Sequence, residues 1–466
     1  MKTRIEHDLL GEKEVPADAY YGIQTLRGIE NFQNISGITI GDYPNYVKAL
    51  AMVKWAAAKA NQELEILPDD IANAITRACE EIIGGKLHDQ FPVDLIQGGA
   101  GTSTNMNINE VVANRALELM GHQKGEYQYC HPNNHVNMSQ STNDAYPTSF
   151  KLAFIFMNEE LVADLKLLIQ AFRAKGEEFK EVLKMGRTQL QDAVPMTMGQ
   201  EFEAFAANLE EEVDRLNQMA KLFLEVNMGA TAIGTGINSE PEYSAKCIKN
   251  LRIISGEEFV LASNLIEATP DAGSSVMYSS ALKRLAVKLS KICNDLRLLS
   301  SGPRCGNLPA MQPGSSIMPG KVNPVIPEVV NQICYRIIGN DLTVTFAAEA
   351  GQLQLNVMEP VMVHAIFSSI KMLQKGMDRL RILCVEGITA NTQHCREMVL
   401  NSIGIVTALN PTLGYENSSR IAKRALKENR SVYDLVLEEG LLTKDELDQL
   451  LKPESMIKPH KFYKKK

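Results

Sequence analysis

Two apolar stripes constrain the chain most. Phe202, Phe205, Leu209, Val213, Leu216, Ala220 and Phe223 follow one another at steps of 3, 4, 4, 3, 4 and 3 residues. Leu282, Leu285, Leu289, Ile292, Leu296 and Leu299 do so at 3, 4, 3, 4 and 3. A strand alternates with a period of two, so these spacings predict helices, each about five to six turns long. Related patterns predict helices over 46 to about 84 (Val47, Leu50, Val53, Ala57), 105–120 with Gly121 just past its end, and 152–172. A further apolar segment runs from 325 to about 377 and is expected to kink or break at Pro360. The fold class is therefore all-α. Aromatic residues make up 6% of the chain, with Trp55 the single tryptophan, which suits helices better than an all-β domain. Helices this long pack side by side as a bundle, and their wide apolar faces point to a bundle shared across subunits. An intrachain bundle in a monomer fits the periodicity equally well.

The 466 residues suffice for about three domains of ordinary size, or one large elongated body. Residues 1–45 read as irregular, with an ordered arm at 14–22. Asn410-Pro411 and Gly414 punctuate a small C-terminal helical domain, 396–466, with short helices at 418–428, 431–439 and 443–451. Thr443 and Glu446 have the spacing of a capping box. The net charge of −8 argues against nucleic acid as the main partner, and the basic tail, Lys461 and Lys464 to Lys466, reads as solvated. The 8 cysteines are scattered, with no C-x-x-C pair and no zinc spacing, so they read as reduced, mostly buried thiols of a cytosolic, cytoplasmic protein. Neither an apolar signal region nor a membrane-spanning run is expected.

Chemistry concentrates in four polar stretches. The first is Gly98-Gly99-Ala100-Gly101-Thr102-Ser103-Thr104-Asn105, just before a helix. Glycines, hydroxyls and helix N–H groups there can make an anion site, or simply a helix cap. It is not a nucleotide fingerprint. The second, Ser139-Gln140-Ser141-Thr142-Asn143-Asp144, opens the middle helix and carries the same alternatives. The third, Gly186 to Pro195 with Thr188 and Gln189, reads as a polar turn between two helices. The fourth is Gly314-Ser315-Ser316-Ile317-Met318-Pro319-Gly320-Lys321-Val322-Asn323-Pro324, a loop able to move and then hold polar groups in place. Together they offer many neutral donors and one flexible cation, Lys321, an inventory that suits a small dianion.

His131 and His135 have a spacing that could bind metal on a helix, but Pro132 argues for a loop, and no metal site is expected. The run Gly229 to Gly236 follows a helix and reads as a helix-end connection with some chance of lining a site.

In this order the four stretches resemble the active-site segments of the fumarase/aspartase superfamily, and the fourth resembles its signature loop. The likeness extends from Glu14-Val15-Pro16-Ala17-Asp18 into the C-terminal domain. Gln189, where fumarases carry His, makes the third stretch similar to one branch of the aspartases. Met185-Gly186 and Gly351-Gln352-Leu353-Gln354-Leu355-Asn356 are similar to that branch too.

The resemblance implies three helical domains (1–143 N-terminal, 144–395 central bundle, 396–466 C-terminal) and a homotetramer whose active sites are each built by three subunits. It implies a carbon–nitrogen lyase interconverting L-aspartate with fumarate and ammonium through an enediolate. No cofactor is then required; activation by a divalent cation is not readable from the residues. By the same likeness Ser315 is the general base. Thr102, Ser141, Thr142 and Ser316 hold the side-chain carboxylate, and Thr188, Lys321 and Asn323 hold the α-carboxylate. Asn143 and Gln189 lie near the amino group, and Glu328 is structural or partners a water. Between Arg304 and Gly314 the chain is shorter than its relatives by about four residues, which bears on how the loop closes. The rival readings are a fumarate hydratase acting on L-malate and a non-catalytic tetramer of the same fold.

Overall fold

The computed structural model describes residues 2–457 and 459; the basic tail, Lys461 and Lys464 to Lys466, lies outside the described residues. Both diagnostic stripes are helical. One lies on Met198–Ala220 and the short 3-10 turn Lys221–Leu224, the other on Gly273–Leu299. The protein is mostly helical. Among the described residues its strands are short and pair only two by two.

The chain divides into two compact units. The first comprises Met1–Val162, Asp214–Arg284 and Tyr335–Leu373; the second comprises Ala163–Val213, Leu285–Cys334 and Gln374–Lys466. Each has its own aromatic core. In the first, Phe154 packs against Phe223, Tyr278 and Phe367. In the second, Phe202 is ringed by Phe172, Phe179 and Phe205.

The structure corrects several local expectations. The apolar pattern over 46–84 is two helices, Pro44–Glu63 and Asp69–Ile83, separated where Glu65 turns left-handed (φ 61). The segment 325–377 also splits in two, into Val325–Glu349 and Glu359–Leu383. Its interruption precedes Pro360, which sits in the first turn of the second helix, where a missing N–H costs nothing. Asn356 Nδ2 donates to the Ala347 and Ala348 carbonyls at 3.0 and 3.3 Å, satisfying acceptors that the helix end leaves over. The N-terminal region is more regular than irregular: Thr3–Asp8 and Gly11–Pro16 form an antiparallel hairpin, followed by a helix, Ile23–Phe32. Its arm is ordered by Arg4, whose guanidinium donates to the carbonyls of Pro16, Ala19 and Tyr21 at 2.7–2.9 Å. Buried Glu110 accepts from the N–H groups of Gly22, Gln24 and Thr25 and so caps that helix.

The longest helix, Thr142–Glu178, contains Pro147 near its start. Proline has no N–H, so the Asn143 carbonyl lacks its helical donor. Asn227 Nδ2 fills the gap at 3.0 Å. All eight cysteines are buried and free. No helix among the described residues is long and apolar enough to cross a membrane.

The C-terminal helices pack on the Leu183–Thr188/Gln191–Thr197 hairpin through a core that includes Met185, Val399, Ile405, Leu409, Ile421, Leu435 and Leu447. Thr443 and Glu446 form the expected capping box on Lys444–Leu450. Thr443→Ala should therefore cost this helix about 1 kcal/mol. Amide exchange over 444–450 should quicken roughly fivefold, and unchanged exchange would show that the box contributes nothing.

Candidate functional site

In the first unit the N-terminal ends of two helices, Thr102–Leu119 and Thr142–Glu178, come together. Gly101 precedes the first with φ +87, and a Cβ there would lie 2.7 Å from the Tyr146 ring, so only glycine lets the chain enter at that point. Thr102 is the first helical residue rather than the cap, and its hydroxyl donates to the Gly99 carbonyl at 2.7 Å. Ser141 opens the second helix. Its hydroxyl accepts from the Asn143 N–H at 3.2 Å, while its own N–H donates to Asp144 Oδ1 at 2.9 Å. Thr142 Oγ1 accepts from Asn105 Nδ2 at 3.3 Å. The Ser141 and Thr142 protons thus remain available to an anion at a helix terminus that already favours one. Asn143 Nδ2 is engaged with the Ala232 carbonyl at 2.7 Å, which leaves its amide oxygen.

Fully buried Asp144 accepts from the N–H groups of Gly229 at 3.1 Å and Thr231 at 2.9 Å, besides Ser141. Burial pushes its carboxyl up to about 6, opposed by the Ser141 and Thr231 N–H groups, by Lys54 and by the Gly229 N–H. The Gly229 to Gly236 run therefore packs against the second stretch. It follows a two-residue strand, Glu225–Val226, rather than a helix directly.

In the second unit the third stretch is the tip of a β-hairpin, where a turn between helices was expected. Arg187 and Asp192 pair across it at 3.1 Å. Gln189 and Leu190 both take left-handed backbone, φ 54 and φ 62, as a two-residue hairpin turn requires. That is costly for residues with a Cβ and places Thr188 and Gln189 exposed at the tip.

The fourth stretch is a loop closed at its base by Asn323 Nδ2 donating to the Gly314 carbonyl at 2.7 Å. Half-buried Ser315 Oγ accepts from the N–H groups of Ile317 at 3.3 Å and Met318 at 3.1 Å. Ser316 and Lys321 are exposed, as are Ile317 and Met318 at the tip. Glu328 lies 4.0 Å from Arg297, a long contact that gives it a local electrostatic partner. The segment leading into this loop is anchored by Gly306 and Asn307, which pair with Ala390 and Thr389.

His131 caps a single π-helical turn, Pro132–Val136, and His135 lies within it. His131 Nδ1 accepts from the Asn133 and Asn134 N–H groups, and His135 Nδ1 from the His131 N–H. Burial lowers both imidazoles. Among the described residues no group of three or more His, Cys, Asp or Glu is placed to hold a metal.

Sequence reasoning did not single out Lys54. It lies 1% exposed in the apolar helix Pro44–Glu63 and donates to Asn105 Oδ1, Asn137 Oδ1 and Gln140 Oε1 at 2.7, 3.1 and 2.7 Å. The available signal was a lysine directly beside the apolar position Val53.

With this arrangement in view, the chain belongs to the lyase family of fumarases and aspartases: the family described as Lyase matches residues 11–339, and Fumarase C C-terminus matches 405–458. Within it, the chain is 63% identical to an aspartate ammonia-lyase of Pseudomonas aeruginosa, over 98% of this chain and 97% of that one. It is 59% identical to the aspartate ammonia-lyase of Escherichia coli, over 98% and 96%. Among solved structures, a fumarate lyase:delta crystallin from Brucella melitensis superposes with a TM-score of 0.95 at 55% identity, covering 98% of this chain and 100% of that one. A class II fumarase from Schistosoma mansoni does so with a TM-score of 0.92 at 34% identity, covering 99% and 100%.

A Cβ at Gly314 would overlap the Lys321 carbonyl, so the two ends of the loop can meet only if residue 314 is glycine. Gly314→Ala should displace Ser315 and lower kcat about 100-fold, with the thermal midpoint nearly unchanged. Turnover within a factor of two of the parent would show that the loop base is not critical.

Proposed function

We propose that the chain is an aspartate ammonia-lyase that interconverts L-aspartate with fumarate and ammonium. The observation that carries the chemistry is the Ser315 hydroxyl, whose oxygen receives two backbone N–H groups from its own loop. A serine hydroxyl is ordinarily far too weak an acid to serve as a base near neutrality. Each unit of pKa lowering needs about 1.4 kcal/mol of differential stabilisation. N–H donors aimed at the oxygen favour the alkoxide over the hydroxyl, and they are already in place.

In this reading Ser315 removes a Cβ proton. The electron pair passes into the neighbouring carboxylate as an enediolate, then returns to form the alkene as the Cα–N bond breaks and ammonia leaves. Charge growing on the side-chain carboxylate is met by Thr102, Ser141, Thr142 and Ser316. Ser141 and Thr142 suit this because both oxygens already accept from the protein, which leaves their protons to be donated to a bound anion. Thr102 must turn its proton away from the Gly99 carbonyl to join them. Lys321, Thr188 and Asn323 hold the α-carboxylate, and Asn143 and Gln189 lie near the amino group. No residue in this scheme requires a cofactor.

The protein acts as a homotetramer with each site shared by three subunits and with a three-domain protomer divided at 143/144 and 395/396. Tyr335, Ile338, Leu342 and Phe346 support self-association: they recur at helical spacing along Val325–Glu349 and are all exposed. Such a stripe is expected of a helix that packs against another copy. The same reading places the protein in the cytoplasm, a compartment that suits its buried, free thiols.

Offered L-aspartate, L-malate and argininosuccinate separately, the protein should produce fumarate absorbance from L-aspartate alone. Fumarate from L-malate only would make it a hydratase, and none from any would make it non-catalytic. Ser315→Ala should cut turnover by at least about 1,000-fold, and Lys321→Ala should chiefly raise KM. Near-normal turnover in the first, or an unchanged KM in the second, removes that role.

A further inference from the structure

Lys54 sits at the head of a hydrogen-bond network whose direction can be read without ambiguity. Gln140 Nε2 donates to the backbone carbonyls of Val136 and Met138, so its oxygen must face Lys54. Asn137 Nδ2 donates to the Gln140 carbonyl, so its oxygen also faces inward, where it receives Lys54, Asn105 and Asn109. A carbonyl cannot donate, and these three contacts fix both amide orientations. Asn105 is fixed in turn. Its oxygen accepts from Lys54 at 2.7 Å, which turns its NH2 towards Asn137 and Thr142. Thr142 Oγ1 is therefore an acceptor on the protein side, and its proton can only be given elsewhere.

From this geometry we propose that Lys54 is a positioning residue for substrate: the chain Lys54 to Asn105 to Thr142 polarises the Thr142 hydroxyl so that it donates to the bound carboxylate. The inference rests on the reading of Thr142 given above. Three amide oxygens within 3.1 Å match the three protons of an ammonium; a neutral amine would have only two to offer. Burial pushes the Lys54 ammonium down to about 7, while Asp144, Cys79 and Cys247, the groups that face it, act in the opposite sense. A positive charge one amide away also strengthens the donor that reaches the substrate, since charge-assisted bonds are stronger than neutral ones.

The test uses the full-length protein, with succinate as an unreactive dicarboxylate probe, and compares Lys54→Met, Asn105→Asp and Thr142→Val. Asn105→Asp is the sharper variant. Its carboxylate still accepts from Lys54, so the fold keeps its buried pair, but it cannot donate, and Thr142 must turn its proton inward. Lys54→Met and Asn105→Asp should each weaken succinate binding about tenfold. Each loss should shrink to less than about threefold when Thr142 is already Val, because there is then no hydroxyl left to orient. A merely structural lysine would give losses that persist undiminished in the Thr142→Val background, and that result overturns the proposal. Binding within twofold of the parent in folded Asn105→Asp also overturns it, even if Lys54→Met does not fold. Those outcomes leave the site reading intact if Thr142→Val itself weakens succinate. Normal succinate binding by Thr142→Val would remove Thr142 from the site, and the relay with it.

Discussion

The carboxylate of Asp144 brings three backbone N–H groups from two stretches of chain to one point. Its oxygens take the N–H of Ser141, just before its helix, and those of Gly229 and Thr231 in a distant loop. A fully buried carboxylate without such partners would be very costly, so the two stretches are held together by the need to satisfy it. The consequences run outward. Ser141 is fixed as a cap, Thr142 is presented at the start of the helix, and Asn143 is braced by Asn227 and by the Ala232 carbonyl. Pro147 belongs to the same arrangement, since it frees the carbonyl that Asn227 then occupies.

Two kinds of donor are prepared in different ways. Ser141 and Thr142 stand on a rigid helix end whose dipole already favours an anion. Ser315, Lys321 and Asn323 stand on a loop with an apolar, exposed tip. The division suits the proposed mechanism, in which one carboxylate is held firmly as charge accumulates while the proposed base, Ser315, arrives and departs. The strained Gln189–Leu190 turn is a third solution, with left-handed backbone projecting polar side chains from a hairpin.

The helical architecture was legible because the stripes at 202–223 and 282–299 record the period of the helix directly. The Thr443 capping box was legible for a similar reason, since all of its partners lie within one turn. The hairpin at 183–197 was missed because its turn uses Gln and Leu where glycine or asparagine would have announced it. The break before Pro360 was misplaced because a proline near a helix start looks the same in sequence as one that ends a helix. Lys54 was out of reach for another reason. Its partners stand 51, 83 and 86 residues away, and no local pattern encodes an interaction over such separations. The four polar stretches were recognisable together, but the direction of each hydroxyl proton depends on three-dimensional neighbours.

The eight cysteines, all buried and free, have a consequence of their own. A thiol reagent can reach them only when the surrounding helices part, so alkylation of the native protein is a clock for opening rather than a map of the surface. Because the thiols are distributed through both units, the order in which they are modified would tell which unit yields first.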